Sequence, residues 1–173
     1  LLSFSPSTAL FFYYNPLITN WAYATTNVPM IPGKGYLVRA PDVSPFNFTT
    51  PNNFNGAFVG VPNTGDISLP IIGNANQFNL IGNPYPSALS ADAFLSDATN
   101  TPLIDATIYL WTHNTQPSTA IVDPFYGDFT SNYTSNDYAV FNTTGGTAIA
   151  PSGGTLPTGF IASGQSFFVK AAH

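Results

Sequence analysis

A glycine-led, aromatic octapeptide occurs twice in the chain and constrains its fold more than any other feature. Residues 33–40 read GKGYLVRA and residues 164–171 read GQSFFVKA. In each copy a turn glycine precedes residues whose side chains, in a β-strand, alternate between the two faces of a sheet. The sequence predicts two equivalent strands, each central in its sheet, with Val38 and Val169 on the face opposite the cations.

The segments that match around these copies extend the repeat to three strands. Residues 8–14 (TALFFYY) match residues 106–111 (ATIYLW), and residues 20–23 (NWAY) match residues 137–140 (DYAV). Aromatic and β-branched residues dominate these segments, as is typical of strands.

The matches define two three-strand units, at about 8–41 and 106–172, which we expect to form a single domain over residues 1–173. The second unit is longer because it carries insertions at about 112–136 and 143–160. Two separated copies do not make a solenoid, which needs adjacent repeats. They suggest a duplicated half-sandwich, or two strands in equivalent places of facing sheets.

Composition favours strands over helices. Charged residues make up only 6% of the chain, against about 25% in ordinary domains. Glu, a strong helix former, is absent, whereas Thr, Asn, Gly, Pro and aromatic residues are abundant. We predict an all-β fold, a two-sheet antiparallel β-sandwich of jelly-roll or Ig-like type.

Between the two units we expect further strands and the single helix. Residues 56–60, 67–72 and 78–81 have strand composition, and residues 62–65 (PNTG) predict a turn. A short helix is predicted near 91–97, where a Ser can cap its N-terminus and an Asp lies in its first turn.

The few charges exclude several classes of partner. The net charge is −5, and the basic residues are Lys34, Arg39 and Lys170, so nucleic acid and anionic membranes are poor partners. We interpret these cations as solvent-facing charges that oppose edge-to-edge pairing of strands. No apolar run reaches membrane-spanning length, and no cysteine is present. Because the chain starts without Met, we interpret it as a piece of something longer.

The order of motifs resembles a β-sandwich module of large secreted and cell-surface proteins of Bacteroidetes, many of them cargo of the type IX secretion system. The most specific matches are GNPYPS at residues 82–87 and GQSFFV at residues 164–169, and the likeness covers about 8–172. The resemblance implies an extracellular, adhesin-like module whose partners are neighbouring modules or other surface proteins. No catalytic motif is shared by such modules, so the resemblance transfers no functional residue.

Residues for catalysis are sparse. The histidines are His113 and the terminal His173, and no Gly-x-Ser-x-Gly sequence occurs. We interpret His113 as a loop residue after a strand. The Asp residues fall mostly at turns and match no acid motif of glycosidases. The sequence therefore predicts a protein that is not an enzyme.

The first insertion contains the candidate ligand-binding residues. Tyr126, Phe129 and Tyr133 lie among Asp128 and Asn132, and aromatic rings beside polar groups can stack on and hydrogen-bond a sugar. The alternative is that these aromatic residues only pin the insertion to the sandwich. Both tryptophans of the chain are expected in the core rather than in a ligand platform.

The candidate metal ligands are Asp123 and Asp128 in the same insertion and Asp137 directly after it. Calcium binds six to eight oxygens, and it is the metal we expect if the segment holds one. The spacing matches no calcium motif, so ordinary turn chemistry is the alternative. No other cofactor is expected.

Together these features predict a non-catalytic extracellular structural or adhesive module of a large bacterial cell-surface protein. The alternative is a carbohydrate-binding, lectin-like module that uses residues 112–136, and a glycan hydrolase is a third. A spacer should lack a deep cleft, a sugar binder should expose coplanar aromatic rings, and an enzyme should pair carboxylates across a groove. The aromatic, weakly charged surface also favours self-association.

Overall fold

The protein forms antiparallel sheets with a short helix, as the sequence predicts. The structure, a computed structural model, describes residues 10–24, 28–39, 60–121, 132–144 and 147–173, without the side chains of Leu10 and Arg39. Within these ranges the chain is all-β, with three antiparallel sheets, one α-helix and a 3-10 turn at Ser135–Asp137.

The elements follow one another along the chain. They are β1 (Leu10–Asn15), β2 (Asn20–Tyr23), β3 (Leu37–Arg39), β4 (Phe78–Gly82), β5 (Leu89–Ser90), α1 (Ala91–Ser96), β6 (Thr107–Trp111), β7 (Tyr138–Asn142), β8 (Phe160–Ile161) and β9 (Ser166–Lys170). A three-stranded sheet has the order β2-β1-β3, a four-stranded sheet has the order β4-β9-β6-β7, and a two-stranded sheet pairs β5 with β8.

The two repeated units have the same strand order and the same register. In the first unit β1 lies between β2 and β3, and in the second β6 lies between β7 and β9. The paired residues correspond one to one: Tyr14↔Trp21 with Trp111↔Tyr138, Phe12↔Tyr23 with Tyr109↔Val140, and Phe12↔Leu37 with Tyr109↔Phe168. Each unit therefore has the same positions on the same face. That residues 1–173 form a single domain stays a prediction.

The chain crosses from one sheet to the other at the first glycine motif. Before β3 begins, the amide of Gly35 donates to Leu80 of β4 (3.0 Å), and the carbonyl of Gly33 accepts from Gly82 (2.8 Å). A Cβ on Gly35 would lie 2.5 Å from the Leu80 Cγ, so only glycine allows this approach. The motif thus joins the two sheets along one side.

The hydrophobic core lies on one face of the four-stranded sheet. It packs α1, β8 and the strands β6 and β9 together, with the buried residues Ala91, Leu95, Ile104, Ile108, Leu110, Ile161, Phe167 and Val169. The opposite face of this sheet carries aromatic side chains and lies against the three-stranded sheet, because Phe168 contacts Tyr14 and Trp21.

The predicted helix is confirmed at Ala91–Ser96. The hydroxyl of Ser90 caps it by accepting a hydrogen bond from the Ala93 amide (3.2 Å). Ala91 and Leu95 are buried on its inner side.

Two strand predictions are wrong. Residues 67–72 form no strand. At the end of this segment the Asn79 side chain, not a neighbouring strand, binds the Ile72 backbone: it accepts from the Ile72 amide (2.9 Å) and donates to the Ile72 carbonyl (3.0 Å). Among the described strands β3 lies at the end of its sheet, whereas β9 is central as predicted. The strand expected at 56–60 falls mostly outside the described residues.

The two lysines are half-buried and contact aromatic rings, and that they oppose edge-to-edge pairing of strands stays a prediction. The Lys34 ammonium lies 3.8 Å from the centre of the Tyr13 ring, and the Lys170 ammonium lies 5.1 Å from the Phe78 ring and 5.3 Å from the Tyr109 ring. Both positions allow cation–π attraction. Burial also lowers the pKa of Lys34.

A buried asparagine holds the proline-rich turn after β4. The Asn83 Nδ2 donates to three carbonyl oxygens, those of Ser87 (2.9 Å), Ile161 (3.1 Å) and Ala162 (3.1 Å). Its Oδ1 accepts from the Tyr85 amide (3.0 Å). One side chain thereby satisfies four backbone groups and ties this turn to β8.

We predict that Asn83→Asp lowers the free energy of unfolding by about 3 kcal/mol, because a carboxylate oxygen would face three carbonyl oxygens with no proton to donate. The matched control is Asn63→Asp, which alters an exposed residue with one hydrogen bond, to Pro84. This control should change stability by less than about 1 kcal/mol. If urea unfolding shows that Asn83→Asp and Asn63→Asp lower the free energy of unfolding equally, the role assigned to Asn83 is contradicted.

Candidate functional site

A cleft lies between the aromatic faces of the two larger sheets. It has a volume of about 310 Å³, which is in the range of small-molecule sites. Both units line it, and so does the segment before β7. The described lining residues are Tyr14, Trp21, Leu37, Phe78, Tyr109, Trp111, Tyr133, Thr134, Ser135, Tyr138 and Phe168.

Phe168 forms the floor of this cleft. Its side chain is only 7% exposed. Four rings meet it edge to face, with centroid distances of 5.0 Å for Tyr14, 5.9 Å for Trp21, 5.7 Å for Phe78 and 5.8 Å for Tyr138. This geometry is favourable for aromatic pairs, so the cluster is a packed support for the rings above it.

The two walls of the cleft present equivalent positions of the repeat. The matched pairs are Tyr14 with Trp111, Trp21 with Tyr138, and Leu37 with Phe168. All of these residues line the cleft. Each unit therefore turns the same face towards the other, as subunits do in an isologous contact.

Residues 133–135 of the first insertion line the cleft and form its rim. His113 does not line the cleft but contacts two of the lining rings. The ring of His113 stacks on Trp111, with centroids 4.7 Å apart, and Tyr133 meets Trp111 edge to face at 5.2 Å. His113 lies in the loop after β6 with φ of 50°, a backbone conformation that a non-glycine residue keeps only when its surroundings hold it.

Asp137 holds the start of the first insertion through hydrogen bonds. Its side chain is fully buried. One carboxylate oxygen accepts from the Thr115 hydroxyl (2.7 Å) and the other from the Thr115 amide (3.0 Å). Its carbonyl accepts from the Thr112 amide (2.8 Å). Asp137 thus fixes the start of the insertion beside Tyr138, and its carboxylate is engaged inside the fold.

Hydrogen bonding decides the ionisation of Asp137. Burial alone would raise the pKa of this carboxyl, but hydrogen bonds from Thr115 and Ser152, with a smaller contribution from His113, hold the pKa below its usual value. In the cleft itself, burial raises the pKa of Tyr14, so its phenol stays neutral.

The structure brings one predicted ligand-binding residue into the cleft. Tyr133 lines the cleft, whereas Asn132 pairs through its backbone with Ser118 and donates its Nδ2 to the Ile121 carbonyl (2.9 Å). Asn132 therefore closes the base of the insertion. The other predicted residues lie outside the described part of the chain: Tyr126, Phe129, Asp123 and Asp128.

Sequence reasoning missed most of the cleft. Trp21 and Trp111 were expected in the core, but both are half-buried and line the cleft. That expectation is wrong because the buried core lies on the other face of the four-stranded sheet. The repeat could have indicated the cleft, since equivalent aromatic positions of two similar units can face each other.

Metal clusters and membrane-spanning helices are both missing from the ranges that the structure describes. In these ranges no group of three or more His, Asp, Glu or Cys residues is placed to hold a metal ion. Among the described residues there is also no helix of the length and apolarity that crossing a membrane requires.

We predict that Asp137→Asn lowers the free energy of unfolding by about 2–3 kcal/mol at pH 7. The folded-state pKa is below the unfolded value of about 4, so the carboxylate's contribution is complete above pH 4 and is lost as the pH falls through the folded-state pKa. The difference in the free energy of unfolding between wild type and variant, measured by urea unfolding, should therefore shrink as the pH is lowered.

The control for this prediction is Asp66→Asn, which removes the same charge from an exposed residue. It should change stability at pH 7 by no more than about 0.5 kcal/mol. A wild-type advantage over Asp137→Asn that persists undiminished well below pH 4 would argue against the ionised, hydrogen-bonded carboxylate.

A protein-family model matches the whole chain. The model of the DUF8693 family, a domain of unknown function, matches residues 1–173. No curated protein matches the sequence, and no solved structure matches it. The chain is therefore a member of the DUF8693 family.

Proposed function

We propose that this domain is a non-catalytic binding module of a larger bacterial surface protein, that it works outside the cell, and that its ligand is a carbohydrate. The observation that carries the proposal is the aromatic cleft of about 310 Å³ between the two units. A purely structural spacer has no need for such a cleft, and exposed aromatic surface is an aggregation hazard unless it serves binding.

The chemistry of the cleft suits a sugar ring. Pyranoses combine apolar C–H faces, which pack on aromatic rings, with a polar edge that needs hydrogen bonds. The indoles of Trp21 and Trp111 supply apolar aromatic surface, and Thr134 and Ser135 are polar residues of the same lining. Such apolar walls with a few convergent polar groups are typical of ligand sites.

The lining also favours binding over catalysis. Among the described lining residues there is no carboxylate and no imidazole, which are the groups that glycosidases and hydrolytic triads use. His113 stacks on Trp111 rather than facing a described nucleophile.

The extracellular setting rests on sequence. The GNPYPS and GQSFFV motifs support it through their resemblance to modules of secreted surface proteins. Only 6% of the residues are charged, which fits a rigid module that contacts neighbouring modules. Export by the type IX system and adhesion to neighbouring modules belong to the same proposal.

We expect a glycan array probed with the isolated domain to show specific binding that Trp111→Ala and Tyr133→Ala each weaken by about tenfold or more, because aromatic anchors dominate binding energy. The matched control is Phe160→Ala, an aromatic truncation at a residue 64% exposed on β8, on the far side of the four-stranded sheet.

The array should be run with calcium and again with chelator, and Tyr126→Ala should be included. Loss of binding with chelator would support the calcium site proposed at Asp123 and Asp128. No binding by folded wild type in either buffer would refute the carbohydrate proposal and leave the structural module. Binding that survives both cleft variants would locate the site elsewhere.

A further inference from the structure

A second cavity adjoins the cleft and shares much of its wall. It has a volume of about 180 Å³. We call the larger cavity the first compartment and this one the second compartment. The residues common to both are Trp21, Leu37, Tyr109, Trp111, Tyr138 and Phe168. Both tryptophans therefore face both compartments, so one ligand can contact them along its length.

The two compartments differ at their far ends. Tyr133, Thr134 and Ser135 line only the first compartment, whereas Tyr36 and Gln165 line only the second. Each end thus combines an aromatic ring with polar side chains, while the shared middle is aromatic. A ligand made of similar units, each with apolar faces and polar edges, matches this repetition.

The second compartment is held rigidly by the two glycine motifs. The Ser166 hydroxyl accepts from the Tyr36 amide (3.2 Å) and donates to the Tyr36 carbonyl (3.2 Å). The Tyr36 hydroxyl accepts from the Ile31 amide (3.1 Å). Because Tyr36 is fixed at both its backbone and its ring, this compartment is formed before any ligand arrives, which lowers the entropic cost of binding.

The lining also disfavours charged ligands. Among the described residues that line either compartment, none is Asp, Glu, Lys, Arg or His. The nearby ammonium groups are already engaged with aromatic rings, Lys34 over Tyr13 (3.8 Å) and Lys170 beside Phe78 and Tyr109 (5.1 and 5.3 Å). A charged ligand group would therefore lose water there without a charged lining residue to pair with, which is unfavourable. The lining therefore suits a neutral ligand.

We propose, resting on the carbohydrate function proposed above, that the two compartments hold two consecutive units of a neutral oligosaccharide. One unit lies in each compartment, and the two tryptophans, one from each repeat, contact both units. The minimal ligand is a neutral disaccharide.

Calorimetric titration of the whole 173-residue domain tests this with neutral mono- to tetrasaccharides of glucose, galactose, mannose, xylose and N-acetylglucosamine. Affinity should rise about tenfold or more from the monosaccharide to the disaccharide of the series that binds and then level off. Disaccharides of uronic acids should bind at least about tenfold more weakly. Equal affinity for one unit and two, or preference for the acidic sugars, would overturn the inference while leaving sugar binding intact.

Variants of the two ends test the assignment of the compartments. Tyr36→Leu should abolish the gain in affinity from the monosaccharide to the disaccharide, whereas Tyr133→Ala should weaken the binding of both sugars and keep that gain. Gln165→Ala provides a second alteration of the second compartment if Tyr36→Leu is unstable to heat. If the affinity still rises from the monosaccharide to the disaccharide in both variants, the second compartment does not hold a sugar unit. Failure of every sugar to bind wild type would instead refute the carbohydrate function itself.

Discussion

Edge-to-face packing around Phe168 is the interaction on which the arrangement of the two repeated units depends. Its ring touches Tyr14 and Trp21 of the first unit and Tyr138 of the second, at centroid distances from 5.0 to 5.9 Å. Each such pair contributes about 0.5–1.5 kcal/mol beyond the burial of area. The same rings that join the sheets also bound the cleft, since all four of them line it.

The glycine motif explains why this cleft keeps its shape. Residues just before β3 are hydrogen-bonded to β4, so the three-stranded sheet is attached to the edge of the four-stranded sheet along one side. Ser166, from the second motif, binds the backbone of Tyr36 in the first. The repeated motif thus acts as a strand and also as the connection between the walls. A cleft made by two connected walls needs little reorganisation on binding.

Much of the fold could be predicted from local chemistry. Alternation and composition predict the strands, and Ser90 predicts the start of α1. The repeat predicts which residues occupy equivalent positions in the two units, such as Trp21 and Tyr138. Periodicity shows which side chains share a face but not which faces meet, so both tryptophans were expected in the core. Hydrogen bonds over long sequence separations were equally hidden: nothing local indicates that the Asn83 side chain would donate to the carbonyl of Ile161.

Ligand binding between the two units can be tested directly through the two tryptophans of the chain. Each unit contributes one of them to the cleft, so a nitrogen–proton NMR spectrum should contain one indole signal per wall. During titration with a neutral disaccharide, both indole signals should shift with the same dissociation constant. A shift of the Trp111 signal alone, or of neither signal while binding is seen by calorimetry, would contradict a site shared by the two units.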